Sequence, residues 1–137
     1  MEKIKLALIG CGYLNDIVAT AIQDGYLPEY ELIAVLGRDY ARAEEFAKRY
    51  GCKACADINE LIALKPDFTA EAASVKAVRE YSARLLNGGS NLVVLSIGAF
   101  ADREFYENVK NTAGQNKRRV YIASGAVGGF DVLRTAA

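Results

Sequence analysis

Apolar residues along this chain follow two alternating rhythms. Short, nearly unbroken runs such as Ile4-Lys5-Leu6-Ala7-Leu8-Ile9 give way to stretches where they recur every three or four positions, such as Leu14, Ile17, Val18, Ala21 and Ile22. The first rhythm predicts a strand covered on both faces, the second a helix with one buried stripe. Carried along the chain, this predicts strands over about 4–9, 31–36, 52–56, 67–72, 91–96 and 120–123. Between them it predicts helices over about 13–24, 41–50, 58–64, 75–86 and 102–113, with a last helix starting at Phe130-Asp131. The punctuation agrees. Asp39, Asp57 and Ser74 stand where N-caps belong, and Asp57 with Glu60 makes a capping box. Gly25, Gly51 and Gly114 stand where helices should stop, and Pro66 closes the short third helix. On the fourth helix the apolar stripe is Val75, Val78, Ser82, Leu85 and Leu86; on the fifth it is Phe105, Val109 and Thr112.

Six strands alternating with helices predict an α/β fold: a doubly wound parallel sheet with helices on both faces. The expected strand order is 3-2-1-4-5-6, with a ligand crevice where the C-terminal ends of strands one and four part. The loop after the first strand, Gly10-Cys11-Gly12-Tyr13-Leu14-Asn15, sharpens this expectation. Gly10 permits a tight turn, Gly12 lets backbone approach phosphate oxygens, and the following helix start offers unpaired N–H groups to an anion. This is the Rossmann arrangement for a dinucleotide, with Asn15 in place of the third glycine. A side chain there is expected to push the helix outward or to reach the phosphates itself. Asp16 would repel a pyrophosphate and is expected to point away. Cys11 is expected to be a packing residue.

The tip of the second strand should choose the cofactor. A carboxylate there holds the ribose 2′-hydroxyl of NAD, whereas an arginine accommodates the 2′-phosphate of NADP. Gly37-Arg38 leans towards NADP; Asp39, a position or two late, keeps NAD open, and Arg38 as a plain surface residue is the competing view.

Composition narrows the classes. A chain of 137 residues fits one domain, and 52% hydrophobic with 25% charged residues is globular. Lysine plus arginine balances aspartate plus glutamate at 17 each, which argues against a nucleic-acid partner, and Lys117-Arg118-Arg119 reads as a solvated loop. The apolar runs are too short to span a membrane, and Met1-Glu2-Lys3 enters a strand without a signal peptide, so the expected location is cytoplasmic. No histidine is present, so no imidazole can serve as acid, base or metal ligand. Cys52 and Cys55 have redox-motif spacing, but a strand would send them to opposite faces, and no metal site is expected.

Two segments resemble the L-aspartate dehydrogenase family: Val94-Leu95-Ser96-Ile97-Gly98-Ala99-Phe100-Ala101-Asp102, and Arg118 to Asp131 with its Ser124-Gly125-Ala126-Val127-Gly128-Gly129 core. Glu71-Ala72-Ala73-Ser74 followed by Ala77-Val78-Arg79-Glu80-Tyr81 is similar to the same family. The resemblance implies a Rossmann domain that binds NAD or NADP. It implies an oxidoreductase in which that cofactor takes hydride from L-aspartate, giving iminoaspartate and then oxaloacetate and ammonia; iminoaspartate can feed NAD biosynthesis. It carries cofactor contact to Gly10, Gly12, Tyr13 and Leu14, to Ser74, Ser96, Gly98 and Ala99, and to Ala126 near the nicotinamide, beside Arg38 at the second strand. It also implies that residues 1–124 form the dinucleotide-binding domain and 125–137 begin a second, catalytic domain. The family places its substrate pocket, dimer interface and catalytic histidine there. No catalytic residue is therefore assigned, and the expectation is a domain inactive alone, completed by a catalytic domain in cis or in trans. The alternatives are a dinucleotide-binding regulatory module without catalysis and a Rossmann-like domain that binds no nucleotide.

Overall fold

The computed structural model describes residues 2–123 and 132–136. Strand β1 (Ile4–Ile9) leads to helix α1 (Tyr13–Gln23), then β2 (Tyr30–Leu36), α2 (Tyr40–Tyr50), β3 (Lys53–Cys55), α3 (Ile58–Ala63) and β4 (Phe68–Glu71). Helix α4 (Val75–Asn87), β5 (Asn91–Val94), a 3-10 turn (Ile97–Ala101), α5 (Arg103–Gln115) and β6 (Val120–Ile122) follow. The strands form one sheet in the order β3-β2-β1-β4-β5-β6, and every pairing is parallel. This is the doubly wound order expected from the alternation of elements.

The strand period divides the core. Leu6, Leu8, Val35 and Val93 face one layer with Val18 of α1 and Phe46 of α2. Ala7, Ile9, Ala34 and Val94 face the other layer with Leu61 of α3, Leu85 of α4 and Val109 of α5. Cys52 packs into the first layer and Cys55 into the second, the opposite faces expected of them. Burial raises both thiols, Cys52 to about 11, so each stays protonated and unreactive near neutral pH.

The caps follow the sequence. Asp39 accepts from the amides of Ala41 and Arg42, Asp57 from Glu60, and Ser74 from Ala77. Gly51 closes α2 in the left-handed conformation at φ 71°.

Three local expectations need correction. Val75, placed on the apolar stripe of α4, is the first residue of the helix and is 42% exposed, while Val78, one turn on, is buried. Helix α5 runs through Gly114 to Gln115, and Ala113 is buried where Thr112 was expected; the Thr112 hydroxyl donates back to the Asn108 carbonyl. Strand β5 ends at Val94, two residues early: the Leu95 amide still reaches the Glu71 backbone carbonyl at 3.0 Å, but the Ser96 amide turns to the Glu71 carboxylate.

Residues 132–136 are helical, while the glycine-rich turn at 124–129 and Phe130-Asp131 lie outside the described residues. Leu133 is fully buried in the first layer, and the Tyr30 hydroxyl donates to its carbonyl at 2.7 Å. Burial, reinforced by the nearby Glu29 charge, pushes the Tyr30 phenol up to about 12.

Replacing Tyr30 with Phe removes this buried hydrogen bond and should cost about 1–2 kcal/mol at neutral pH, measured by urea unfolding. The raised phenol adds a pH signature. Its contribution is intact below pH 10 and is lost as pH rises towards about 12. Stability of the Tyr30→Phe variant should therefore fall less steeply over that window than stability of the parent.

Candidate dinucleotide-binding site

The site is built on the turn that leaves β1. Gly10 has φ +102°, a conformation that strains any side chain, and its N–H donates to the Leu36 carbonyl at 2.7 Å. A Cβ on Gly10 would lie 2.8 Å from the Ala72 carbonyl oxygen. The absent side chain therefore lets the tips of β1, β2 and β4 converge. Gly12 differs. It stands at the N-cap of α1 with ordinary dihedrals, and a Cβ there would meet nothing within 4 Å. Asp39, Asp57, Ser74 and Asp102 supply side-chain acceptors at the starts of α2, α3, α4 and α5, but Gly12 supplies none. The first amides of α1 and the open space beside Gly12 make a cradle for an anion.

Asn15 does neither of the things expected of it. It is 2% exposed, and its side-chain amide donates to the carbonyls of Ile9 (2.9 Å) and Gly10 (2.8 Å). The side chain folds under the turn and ties α1 to the end of β1. Close packing, elsewhere permitted by glycine, is here secured by two hydrogen bonds. Asp16 turns towards α2 but still lines the cleft beside Gly12 and Tyr13. Its carboxylate pairs with Arg49 at 3.1 Å and accepts a short hydrogen bond from the Tyr50 hydroxyl. A cleft of about 280 Å³ opens beside these residues, lined by Cys11, Gly12, Tyr13, Asp16, Arg42 and Arg49 among others. Tyr13 is 77% exposed, and Leu14 is half-buried.

At the tip of β2, Asp39 is occupied by its own helix, whereas Arg38 is exposed. A Cβ on Gly37 would lie 2.9 Å from Cys11 Sγ, so Cys11 fills the space that a side chain at the strand tip would need.

On the other side of β1, Glu71 ends β4 and is 5% exposed. Its Oε2 accepts from the amides of Ala73 (2.8 Å) and Ser74 (2.9 Å) and from the Ser96 hydroxyl (2.6 Å). Its Oε1 accepts from the amides of Leu95 (3.2 Å) and Ser96 (2.9 Å). One carboxylate thus joins the loop after β4 to the loop after β5. The two serines carry different duties as a result. The Ser74 oxygen accepts from Ala77, leaving its O–H free to donate, whereas the Ser96 O–H is spent on Glu71. Gly98 is exposed beside Val75, Ala99 is buried at 2%, and Ala126 lies outside the described residues. Glu71 was visible in the sequence only as part of a family-like segment. The available signal was a carboxylate closing an otherwise apolar strand.

Residues 10–123 match the family model of the homoserine dehydrogenase NAD-binding domain. The chain belongs to that family. The resemblance to L-aspartate dehydrogenases holds across nearly all of the chain. The Methanocaldococcus jannaschii enzyme is 30% identical over 131 residues, covering 96% of this chain and 49% of its own. The Methanospirillum hungatei enzyme is 38% identical over 131 residues, covering 96% and 50%. The chain therefore spans about half the length of these relatives. Among solved structures, the WlbA dehydrogenase from Chromobacterium violaceum, in complex with NADH and UDP-GlcNAcA, superimposes with a TM-score of 0.80 at 20% identity, covering 90% of this chain and 35% of that one. That likeness is one of fold. Among the described residues no group of histidine, cysteine and carboxylate side chains could hold a metal, and no helix is long and apolar enough to cross a membrane.

The two glycines of the turn should separate in mutagenesis. Gly10→Ala meets both the positive φ and the Ala72 carbonyl and should lose at least about 1–2 kcal/mol. Gly12→Ala should change stability by less than about 1 kcal/mol, since the added methyl meets open space. Asn15→Ala should cost about 1–3 kcal/mol by stranding the buried Gly10 carbonyl and removing a second bond to Ile9, whose carbonyl keeps the Ala72 amide. Chemical denaturation of the three variants checks all of these.

Proposed function

We propose that this chain is the cofactor-binding part of an oxidoreductase of the L-aspartate dehydrogenase type, and that it holds a nicotinamide dinucleotide across the tips of β1, β2, β4 and β5. The observation that carries the proposal is the pair of glycines at the start of α1. Gly10 occupies a position closed to any side chain, and Gly12 leaves the uncapped helix start open to phosphate.

The residues fit the group. Gly12 and the amides of Tyr13 and Leu14 would receive the pyrophosphate, with Asp16 already neutralised by Arg49. Ser74 would donate from the crevice wall, and Ser96, Gly98 and Ala99 would form its floor, with Ala126 towards the nicotinamide. When bound, the cofactor supplies a hydride acceptor for an amine-bearing carbon. This chain's own part is to bind and orient that cofactor.

The cofactor proposed is NADP ahead of NAD. Asp39 caps α2 through one carboxylate oxygen and stands past the strand tip, and the tip at Gly37 is filled by Cys11, so no carboxylate stands at the tip itself to meet a ribose 2′-hydroxyl. Arg38 stands exposed beside it and suits a 2′-phosphate. The segment 125–137 is proposed as the passage to a catalytic domain, tethered to the sheet where Tyr30 holds Leu133. Turnover of aspartate is assigned to the two parts together, in cis or in trans, and the family's homodimer to the second part.

Calorimetric titration with NADPH and NADH tests the reading, with binding of at least one expected. Gly12→Ala should weaken both by about tenfold or more, since a methyl group enters the phosphate cradle. Arg38→Ala should weaken NADPH by about tenfold and leave NADH nearly unchanged. Absence of binding by either dinucleotide would remove the proposal, and equal losses in the Arg38 variant would remove the NADP preference.

A further inference from the structure

We propose that Glu71 is a positioning residue: a buried carboxylate that latches the loop after β4 to the loop after β5 and so pre-forms the nicotinamide half of the crevice. The inference rests on the dinucleotide reading above and adds to it the group that organises that half.

A doubly wound sheet holds a dinucleotide in two mononucleotide halves, one on each side of the point where the strand order reverses. Here β1, β2 and β3 form one half and β4, β5 and β6 the other. Gly10, Gly12 and Arg38 belong to the first half; Ser74, Ser96 and Gly98 belong to the second. Among the described residues, the loops that follow β4 and β5 hold no glycine at positive φ like Gly10. The second half has Glu71.

The carboxylate is filled to capacity. It takes three donors on Oε2 and two on Oε1, four of them within 3.0 Å. Two oxygens offer about four lone-pair sites. No acceptor capacity remains for a substrate proton, so Glu71 acts through the groups it holds. The amides it holds are those of Ala73 and Ser74 on one loop and Ser96 on the other, with a share of Leu95, whose amide also donates to the Glu71 backbone carbonyl at 3.0 Å. The latch sets where the Ser74 hydroxyl and the Gly98 backbone stand relative to each other. It also bends the chain out of β5 into the 3-10 turn that carries Gly98. Only a carboxylate matches this donor set. Gln is nearly the same size, but it puts an NH2 group against N–H donors.

The test uses Glu71→Gln, with the unmodified chain as reference. NADPH and NADH should bind about tenfold or more weakly, while ADP, which occupies only the first half, should bind within about threefold of the parent. Amide exchange should accelerate by at least about tenfold at Ala73, Ser74 and Ser96 and stay unchanged in β1 and β2. Unchanged NADPH affinity, or an equal loss for ADP, would overturn the inference. Should Glu71→Gln fail to fold, Ser96→Ala removes one donor and leaves the carboxylate in place. Exchange should then quicken at Ala73 and Ser74, which share Oε2 with the Ser96 hydroxyl from the opposite loop, and Ser96→Thr should restore it. No change at those two amides in Ser96→Ala would overturn the latch. The exchange measurements need no ligand, so they remain decisive even if the unmodified chain binds no dinucleotide, a result that would count against the proposed function instead.

Discussion

The close approach of Gly10 to the Ala72 carbonyl is the constraint on which the site depends. β1 and β4 lie side by side, yet the chain leaves them towards helices on opposite faces. At that divergence two strand tips must come close enough to share one crevice, and only a residue without a side chain fits between them. The positive φ of Gly10 and its hydrogen bond to Leu36 follow from the same requirement. Were the tips to part, the uncapped start of α1 would face a gap with no opposite wall.

Two buried polar side chains then finish what the glycine begins, and they are opposite in kind. Asn15 presents donors to the carbonyls of Ile9 and Gly10, of which Ile9 also accepts from the Ala72 amide. Glu71 presents acceptors to the amides of Ala73, Ser74 and Ser96, left over where β4 and β5 have ended. Loops at a ligand crevice cannot satisfy their backbone within a sheet or a helix, and a buried unpaired group costs about 1–3 kcal/mol. Each side chain cancels such costs, and each does so by fixing a loop in one conformation. Rigidity at the site is thus a by-product of hydrogen-bond satisfaction.

Most of the architecture was legible because it rests on local signals. Strand runs, helical stripes and caps such as Asp39, Asp57 and Ser74 are written over a few residues each, and their alternation determined the sheet order. What was not legible involved side chains whose partners lie outside their own element. Nothing in the helical pattern around Asn15 says that it will fold back under the turn to the carbonyls of Ile9 and Gly10. Nothing near Glu71 says that residues 95 and 96 will come to it, and for the same reason β5 ended earlier than its apolar run implied. Thr112 and Gly114 misled on the fifth helix because a continuous helix with Ala113 inward packs better than one that stops at the glycine.

The tip of β2 shows the same coupling between neighbouring loops. A side chain at residue 37 would crowd Cys11, because Cys11 Sγ stands 2.9 Å from where a Cβ on Gly37 would be. Residue 11 lies in the turn after β1 and residue 37 just past the end of β2, so the two positions share one space. One residue on, Arg38 is exposed, and Asp39 caps α2 through one carboxylate oxygen. Packing at the tip of β2 is thereby tied to the conformation of the glycine turn after β1.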